Sequence, residues 1–246
     1  TVNTVGTCHS STPGLNGGYP GGGATAMLAT GTALAACWQR GETPRDVTQL
    51  GGTLELLPSK RRLQLHPGDV FVAVPHGGGG FGDPLLRDPH LVARDVAHHE
   101  VSAAWARKLY GVVLHTEGAA DEAATERCRA EMRVARLGEA PHRTPRATAD
   151  GTALHRAAQG FACARCGGVL GPLTADVRKG LVCRASELGA AGAWIARRFA
   201  GRGPAVALRH YVCPHCSSTA AVESHLADEA PWADDLATIS NERSAP

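Results

Sequence analysis

Two Cys-x-x-Cys pairs, Cys163-Ala-Arg-Cys166 and Cys213-Pro-His-Cys216, constrain this chain more than any other feature. A two-residue spacer lets both sulfurs of a pair turn onto one ion, and two such pairs supply four thiolates. That is the ligand set of a structural tetrahedral Zn2+ site, with Zn–S bonds of about 2.3 Å. Each pair also sits in a sequence suited to a tight knuckle. Gly167-Gly168 follows the first pair, where the chain must reverse with positive φ, and Arg209-His-Tyr-Val212 runs strand-like into the second. A redox disulfide or a set of free thiols is the rival reading, but paired knuckles at this spacing favour the metal. A site with four protein ligands is closed, so it holds structure and leaves no position open for chemistry. The expected metal ligands are Cys163, Cys166, Cys213 and Cys216.

The rest of the chain must fold around that site. Its 246 residues suffice for one large domain or two smaller ones. Aromatic residues make up only 4%, so the core has to be built from Val, Leu and Ala, and the 30 glycines and 15 prolines cluster as in loop-rich β structure. A formal net charge of +2, from Lys+Arg 25 against Asp+Glu 23, gives no support to nucleic-acid or membrane-surface binding. Eight cysteines, half of them in metal-type pairs, fit a reducing compartment better than a disulfide scaffold. No apolar run approaches the length of a membrane-spanning helix, and no basic-then-apolar leader opens the chain, so a cytoplasmic protein is expected.

Along the chain an α+β fold emerges: a β-rich N-terminal segment, short helices, then a separate zinc-ribbon-like module. Residues 1–30 are mostly Gly, Thr, Ser and Pro, too poor in apolar side chains to bury a core alone. Strand-like pieces follow at 52–57, 62–65 and 70–74, with His66-Pro-Gly-Asp69 as a turn between the second and third. Pro75-His-Gly-Gly-Gly-Gly-Phe-Gly-Asp-Pro84 then lets the backbone approach something closely. It lacks the Lys-Ser/Thr of a phosphate loop, so a tight structural turn or subunit contact outweighs a phosphate or substrate contact. Asp88-Pro89 and Ser102 read as helix N-termini, Gly111 as a C-terminal stop, and 121–136 as a third helix. The expected division is 1–137 (β-rich to about 85, helical 88–137), a linker at 138–155, a zinc-ribbon module at 156–230 and a polar tail at 231–246.

Other candidates are weaker. His98-His99 suits an exposed interhelix loop, and Cys8-His9 has no second pair to join. His210 and His215 flank the second knuckle and are candidate supporting groups for its ligands. Cys183 is a candidate substitute ligand, although a lone cysteine is more often a small buried hydrophobe. Trp38, Trp105, Trp194 and Trp232 are too dispersed for a stacking platform. No catalytic residue is assigned.

Two stretches carry resemblances. Pro67-Gly-Asp-Val-Phe-Val72, Gly77-Gly-Gly-Gly-Phe-Gly-Asp-Pro-Leu-Leu-Arg-Asp-Pro89, Val92-Ala-Arg-Asp95, Val101-Ser102, Tyr110-Gly-Val-Val113 and Asp121-Glu-Ala-Ala-Thr-Glu-Arg127 resemble the C-terminal end of the hydantoinase B/oxoprolinase family, over about residues 10–137. Cys163-Ala-Arg-Cys-Gly-Gly-Val-Leu170, Lys179-Gly-Leu-Val-Cys-Arg184 and Leu208-Arg-His-Tyr-Val-Cys-Pro-His-Cys216 resemble the gamma, zinc-carrying subunit of acetone carboxylase, over about 160–230. Ser217 stands where that family often has glycine. The combination implies a subunit of a multisubunit ATP-dependent carboxylase of the acetone or acetophenone carboxylase type. Its partners would be hydantoinase A-like and truncated hydantoinase B-like subunits, with ATP and a second divalent metal expected on those partners. The isolated chain is then expected to be inactive, with a structural or assembly role. The alternatives are a subunit of an ATP-dependent hydantoinase or lactam hydrolase, and a free-standing zinc-ribbon adaptor that binds protein. If residues 13–23 and 77–80 are ordered, a partner is expected to supply the surface.

Overall fold

The computed structural model describes residues 2–4, 12–44, 46–58, 60–187 and 206–226. Cys8-His9, Trp194, Trp232 and the tail at 231–246 lie outside the described residues. The fold is α+β, with short antiparallel sheets and four helices among the described residues. In chain order the strands are β1 (Val2–Thr4), β2 (Thr25–Thr30), β3 (Thr53–Leu56), β4 (Arg61–Leu63), β5 (Val70–Val74), β6 (Leu154–Ala157), β7 (Gly160–Cys163), β8 (Val169–Gly171), β9 (Val182–Glu187), β10 (Val206–Val212) and β11 (Thr219–Leu226). The helices are α1 (Leu34–Gln39), α2 (Pro89–Ala97), α3 (Ala103–Tyr110) and α4 (Glu122–Leu137).

The strands expected near 52–57, 62–65 and 70–74 form as β3, β4 and β5, while β2 was not foreseen. Its Thr-Ala-Met-Leu-Ala-Thr has no polar–apolar alternation because it is the central strand, paired with β3 on one side and β5 on the other. The helices form where their caps lie. Asp88 accepts from His90 N–H at 2.8 Å with Pro89 in the first turn, Ser102 accepts from Trp105 N–H at 3.2 Å, and Asp121 accepts from Ala124 N–H at 2.9 Å. Gly111 and Gly138 close α3 and α4 in the left-handed region, with φ of 64° and 89°.

Buried apolar side chains form three clusters: Leu28, Leu57 and Leu63 under β2; Val92, Ala93, Ala106, Val112 and Ala120 around α2 and α3; and a third, containing Phe161, Leu170, Leu181 and Tyr211, that includes Cys163, Cys213 and Cys216. The metal-type cysteines therefore sit within the core of the β6–β11 region. Residues 138–153 carry no helix or strand, yet they are tied across the knuckles: Arg143 N–H donates to His215 O at 3.0 Å and Arg146 N–H to Arg165 O at 2.9 Å.

The glycine-rich segments correct one expectation. Residues 12–22 and 77–82 lie against each other, so part of the surface expected from a partner is supplied within the chain. Leu15 N–H donates to Gly80 O, Gly80 N–H to Tyr19 O, and Gly77 N–H to Gly22 O, all at 2.8–2.9 Å. Backbones can approach so closely only without side chains: a Cβ on Gly18 would stand 2.1 Å from Gly80 O, and one on Gly79 2.0 Å from Pro13 O. Hydrogen bonds between two main chains replace the apolar burial that the composition lacks.

Candidate metal centre

Each cysteine pair sits on a reversal of the chain, and the two reversals share one hydrogen-bond pattern. Gly167 N–H returns to Cys163 O at 2.8 Å, and Ser217 N–H returns to Cys213 O at 2.9 Å. Cys163 N–H donates to Gly168 O and Cys213 N–H to Ser218 O, both at 2.9 Å. The reversal needs a left-handed residue just after each second cysteine. Gly167 meets this at φ 70°, and Ser217 does so at φ 61° despite its side chain.

Ser217 is fully buried, and its Oγ donates to Arg133 O in α4 at 2.8 Å, which offsets the strained backbone. Ser217→Ala loses that bond and keeps the strain, so it is expected to cost about 1 kcal/mol. Ser217→Gly loses the same bond but relieves the strain, and should cost less. Urea unfolding measures both, and a Gly variant weaker than the Ala variant would show that the strain is negligible.

Folding brings the four sulfurs of Cys163, Cys166, Cys213 and Cys216 within 4.8 Å of one another. Cys163 Sγ is 3.8 Å from Cys216 Sγ, and Cys166 Sγ is 3.8 Å from Cys213 Sγ. A tetrahedral ion with bonds of about 2.3 Å places its sulfurs about 3.8 Å apart, so donors and spacing fit a thiophilic metal ion. Cys163, Cys213 and Cys216 are buried and Cys166 partly so. Ser218 Oγ lies 3.1 Å from Cys216 Sγ and 3.7 Å from Cys163 Sγ, and serves as a supporting polar contact for both.

Titration of the cluster points the same way. Hydrogen bonds from Cys213 and Cys216 hold the Cys163 thiol far below its usual range. Its neighbours move the other way. Cys216 is pushed up to about 12, first by its hydrogen bond to Cys163, and Cys213 is raised further for the same reason. Cys163 is the sulfur favoured as thiolate, with Cys213 and Cys216 keeping protons to donate to it. A bound cation would replace those protons.

The remaining sequence candidates stand outside this group. Cys183 is exposed on β9, opposite Tyr211. His215 turns away from the sulfurs: its Nε2–H donates to Val169 O at 2.9 Å, leaving Nδ1 to accept from His142 Nε2–H at 3.1 Å. His210 lies 3.3 Å from Ser186 Oγ, with its ring against Tyr19, and burial followed by the Arg136 charge lowers its pKa. His98 and His99 are exposed at the end of α2.

What sequence reasoning missed is how this region joins the glycine segments. Asp83, at the end of the glycine loop, is almost fully buried. It accepts from Arg136 Nη1 at 2.8 and 3.0 Å, from Leu85 N–H at 3.0 Å, and from Thr219 N–H at 2.8 Å, three residues past Cys216. Burial alone would raise its pKa, but the Arg136 charge and these hydrogen bonds outweigh it and hold the carboxyl below the usual carboxylate range. Arg165, between the first two cysteines, reaches Thr219 O and Asn16 O, each at 2.6 Å. The only hint in the sequence was Arg165 inside a knuckle otherwise made of small residues.

No protein-family model matches the chain. It is similar to the caprolactamase subunit beta of Pseudomonas jessenii, 47% identical over 68 residues, which is 28% of this chain and 12% of that protein. It is also similar to the acetone carboxylase alpha subunit of Xanthobacter autotrophicus, 41% identical over 76 residues, 29% of this chain and 10% of that protein. The chain thus matches about a tenth of the length of these curated relatives, both of which are enzyme subunits by name. Among the described residues, no helix is long and apolar enough to cross a membrane.

Proposed function

We propose that this chain serves as a zinc-containing part of a multisubunit ATP-dependent carboxylase of the acetone or acetophenone carboxylase type, with a structural or assembly role. The observation that carries this reading is the buried cage of four cysteines joined to the glycine loop through Asp83 and Thr219. Zn2+ held by Cys163, Cys166, Cys213 and Cys216 would supply folding energy and leave no open coordination position. The division into a hydantoinase B-like part to 137, a zinc-ribbon module from 156 and a cytoplasmic setting belongs to the same reading. So do hydantoinase A-like and truncated hydantoinase B-like partners that carry ATP and a second divalent metal.

The 47% identity to a caprolactamase subunit favours a second reading, ATP-dependent hydrolysis of a lactam. ATP turnover by the complex purified through this chain separates the two. The first expects turnover that depends on bicarbonate and a ketone, the second turnover driven by a lactam without bicarbonate. Neither expects turnover by the chain alone. A chain that purifies without partner subunits and binds only unrelated proteins would overturn both and leave the adaptor reading.

A further inference from the structure

His90 faces Glu122, His115 faces Asp121 and His210 faces Ser186, but His142 and His215 face each other. Their rings stand at 90° with centroids 5.1 Å apart, and His215 Nδ1 lies 3.1 Å from His142 Nε2. The tautomer of His215 is fixed by its other contact. Val169 O can only accept, so His215 Nε2 carries the proton and Nδ1 presents a lone pair. His142, exposed on the stretch that crosses the knuckles, meets that lone pair with its own N–H.

Both rings are held before any ligand arrives. His215 belongs to the second knuckle, between Cys213 and Cys216, and its ring rests on bare Gly168, where a Cβ would stand 2.2 Å from His215 Cδ2. His142 is tied through the next residue, whose N–H donates to His215 O at 3.0 Å. Side chains fixed in this way lose little freedom on binding. Arg143, the adjacent cation, directs Nη1 to Cys166 O at 3.0 Å, which sets its charge against the cysteine cage, where Cys163 is favoured as thiolate.

We propose that His142 and His215 form a second metal site, for an exchangeable divalent transition-metal ion such as Zn2+ or Ni2+ with water completing its coordination. Imidazole nitrogens suit these ions, at bonds of about 2.1 Å. Two such nitrogens stand about 3.0 Å apart on neighbouring corners of an octahedral ion and about 3.4 Å apart on a tetrahedral one. The observed 3.1 Å falls between the two. The ion takes the place of the proton between the rings, and His142 carries that proton on Nδ1 instead, so both imidazoles stay neutral. The site is distinct from the four cysteines and independent of the carboxylase and lactam readings.

The test adds Ni2+ to the full zinc-loaded chain, with binding followed by calorimetry, ring resonances by NMR and retained zinc by elemental analysis. One saturable Ni2+ site is expected, with the His142 and His215 resonances broadened first and the zinc content unchanged. His142→Gln still donates to His215 Nδ1 but removes an imidazole. Loss of a mere supporting partner costs about 10–100-fold in metal affinity, so this variant should lose at least about tenfold. Replacing both His98 and His99 by Ala should change nothing. Overturning results are the absence of a saturable site, full binding in His142→Gln, displacement of zinc in place of added binding, or equal loss in the His98 and His99 variant, which would mean adventitious surface-histidine binding only. The ring resonances decide whether or not the cage holds zinc, so failure of the cage and failure of this pair are read separately.

Discussion

Cys163→Ser is expected to lose the metal altogether and to unfold the β6–β11 region. Zinc binding to four-ligand sites in small modules is worth about 10–16 kcal/mol, and that free energy is folding free energy. Cys163 lies in the same buried cluster as Phe161, Leu170 and Tyr211, so losing the ion also opens the apolar core. Elemental analysis should give one zinc per chain in the native protein and none in the variant. Hydrogen exchange should show amide protection lost along β7 and β10. Native protein without zinc, or a variant that keeps it in full, refutes the assignment. The damage should spread beyond the knuckles, because Thr219 N–H would leave Asp83 and the Arg165 link to Asn16 would break.

Asp83→Ala is the second large effect, at about 3–5 kcal/mol, the usual cost of leaving one member of a buried ion pair alone. Arg136 would lose its carboxylate and keep only the weaker contacts to Tyr19 and to Ser217 O at 3.4 Å, and Thr219 N–H would lose its partner. Asp83→Asn keeps an acceptor for that N–H but not the charge, and should fall between Ala and the native protein. The pH dependence has a definite sign. The folded pKa of Asp83 lies below the unfolded one, so its contribution is fully present above the ordinary carboxylate pKa of about 4. It is lost as pH falls through the depressed folded value. Urea unfolding from neutral to acid pH should show a steeper loss in the native protein than in Asp83→Asn. Equal slopes, or a cost for Asp83→Ala under about 1 kcal/mol, would mean that the glycine loop and the knuckles are not energetically joined.

How much of this was legible beforehand follows the range of the interactions. Helix starts at Asp88, Ser102 and Asp121 and the stop at Gly111 are short-range bargains between a side chain or a glycine and its own turn, so local sequence declares them. Strands β3, β4 and β5 announced themselves through residue type and turn residues. The cysteine pairs were legible because a metal demands one residue type at a set spacing, and no local alternative satisfies that pattern so well.

Sequence alone therefore determined the candidate ligand set, the helical segment and the strands that flank the glycine loop. Only the tertiary structure decided what the glycines do, what Asp83 holds and where Arg165 points. The pairing of 12–22 with 77–82 runs through main-chain groups that every residue shares, so composition cannot signal it. Asp83 and Thr219 meet across 136 positions of chain, and Arg165 and Asn16 across 149. Such contacts exist because separate elements pack together and bury polar atoms that must then find one another, and no short stretch of sequence carries that requirement.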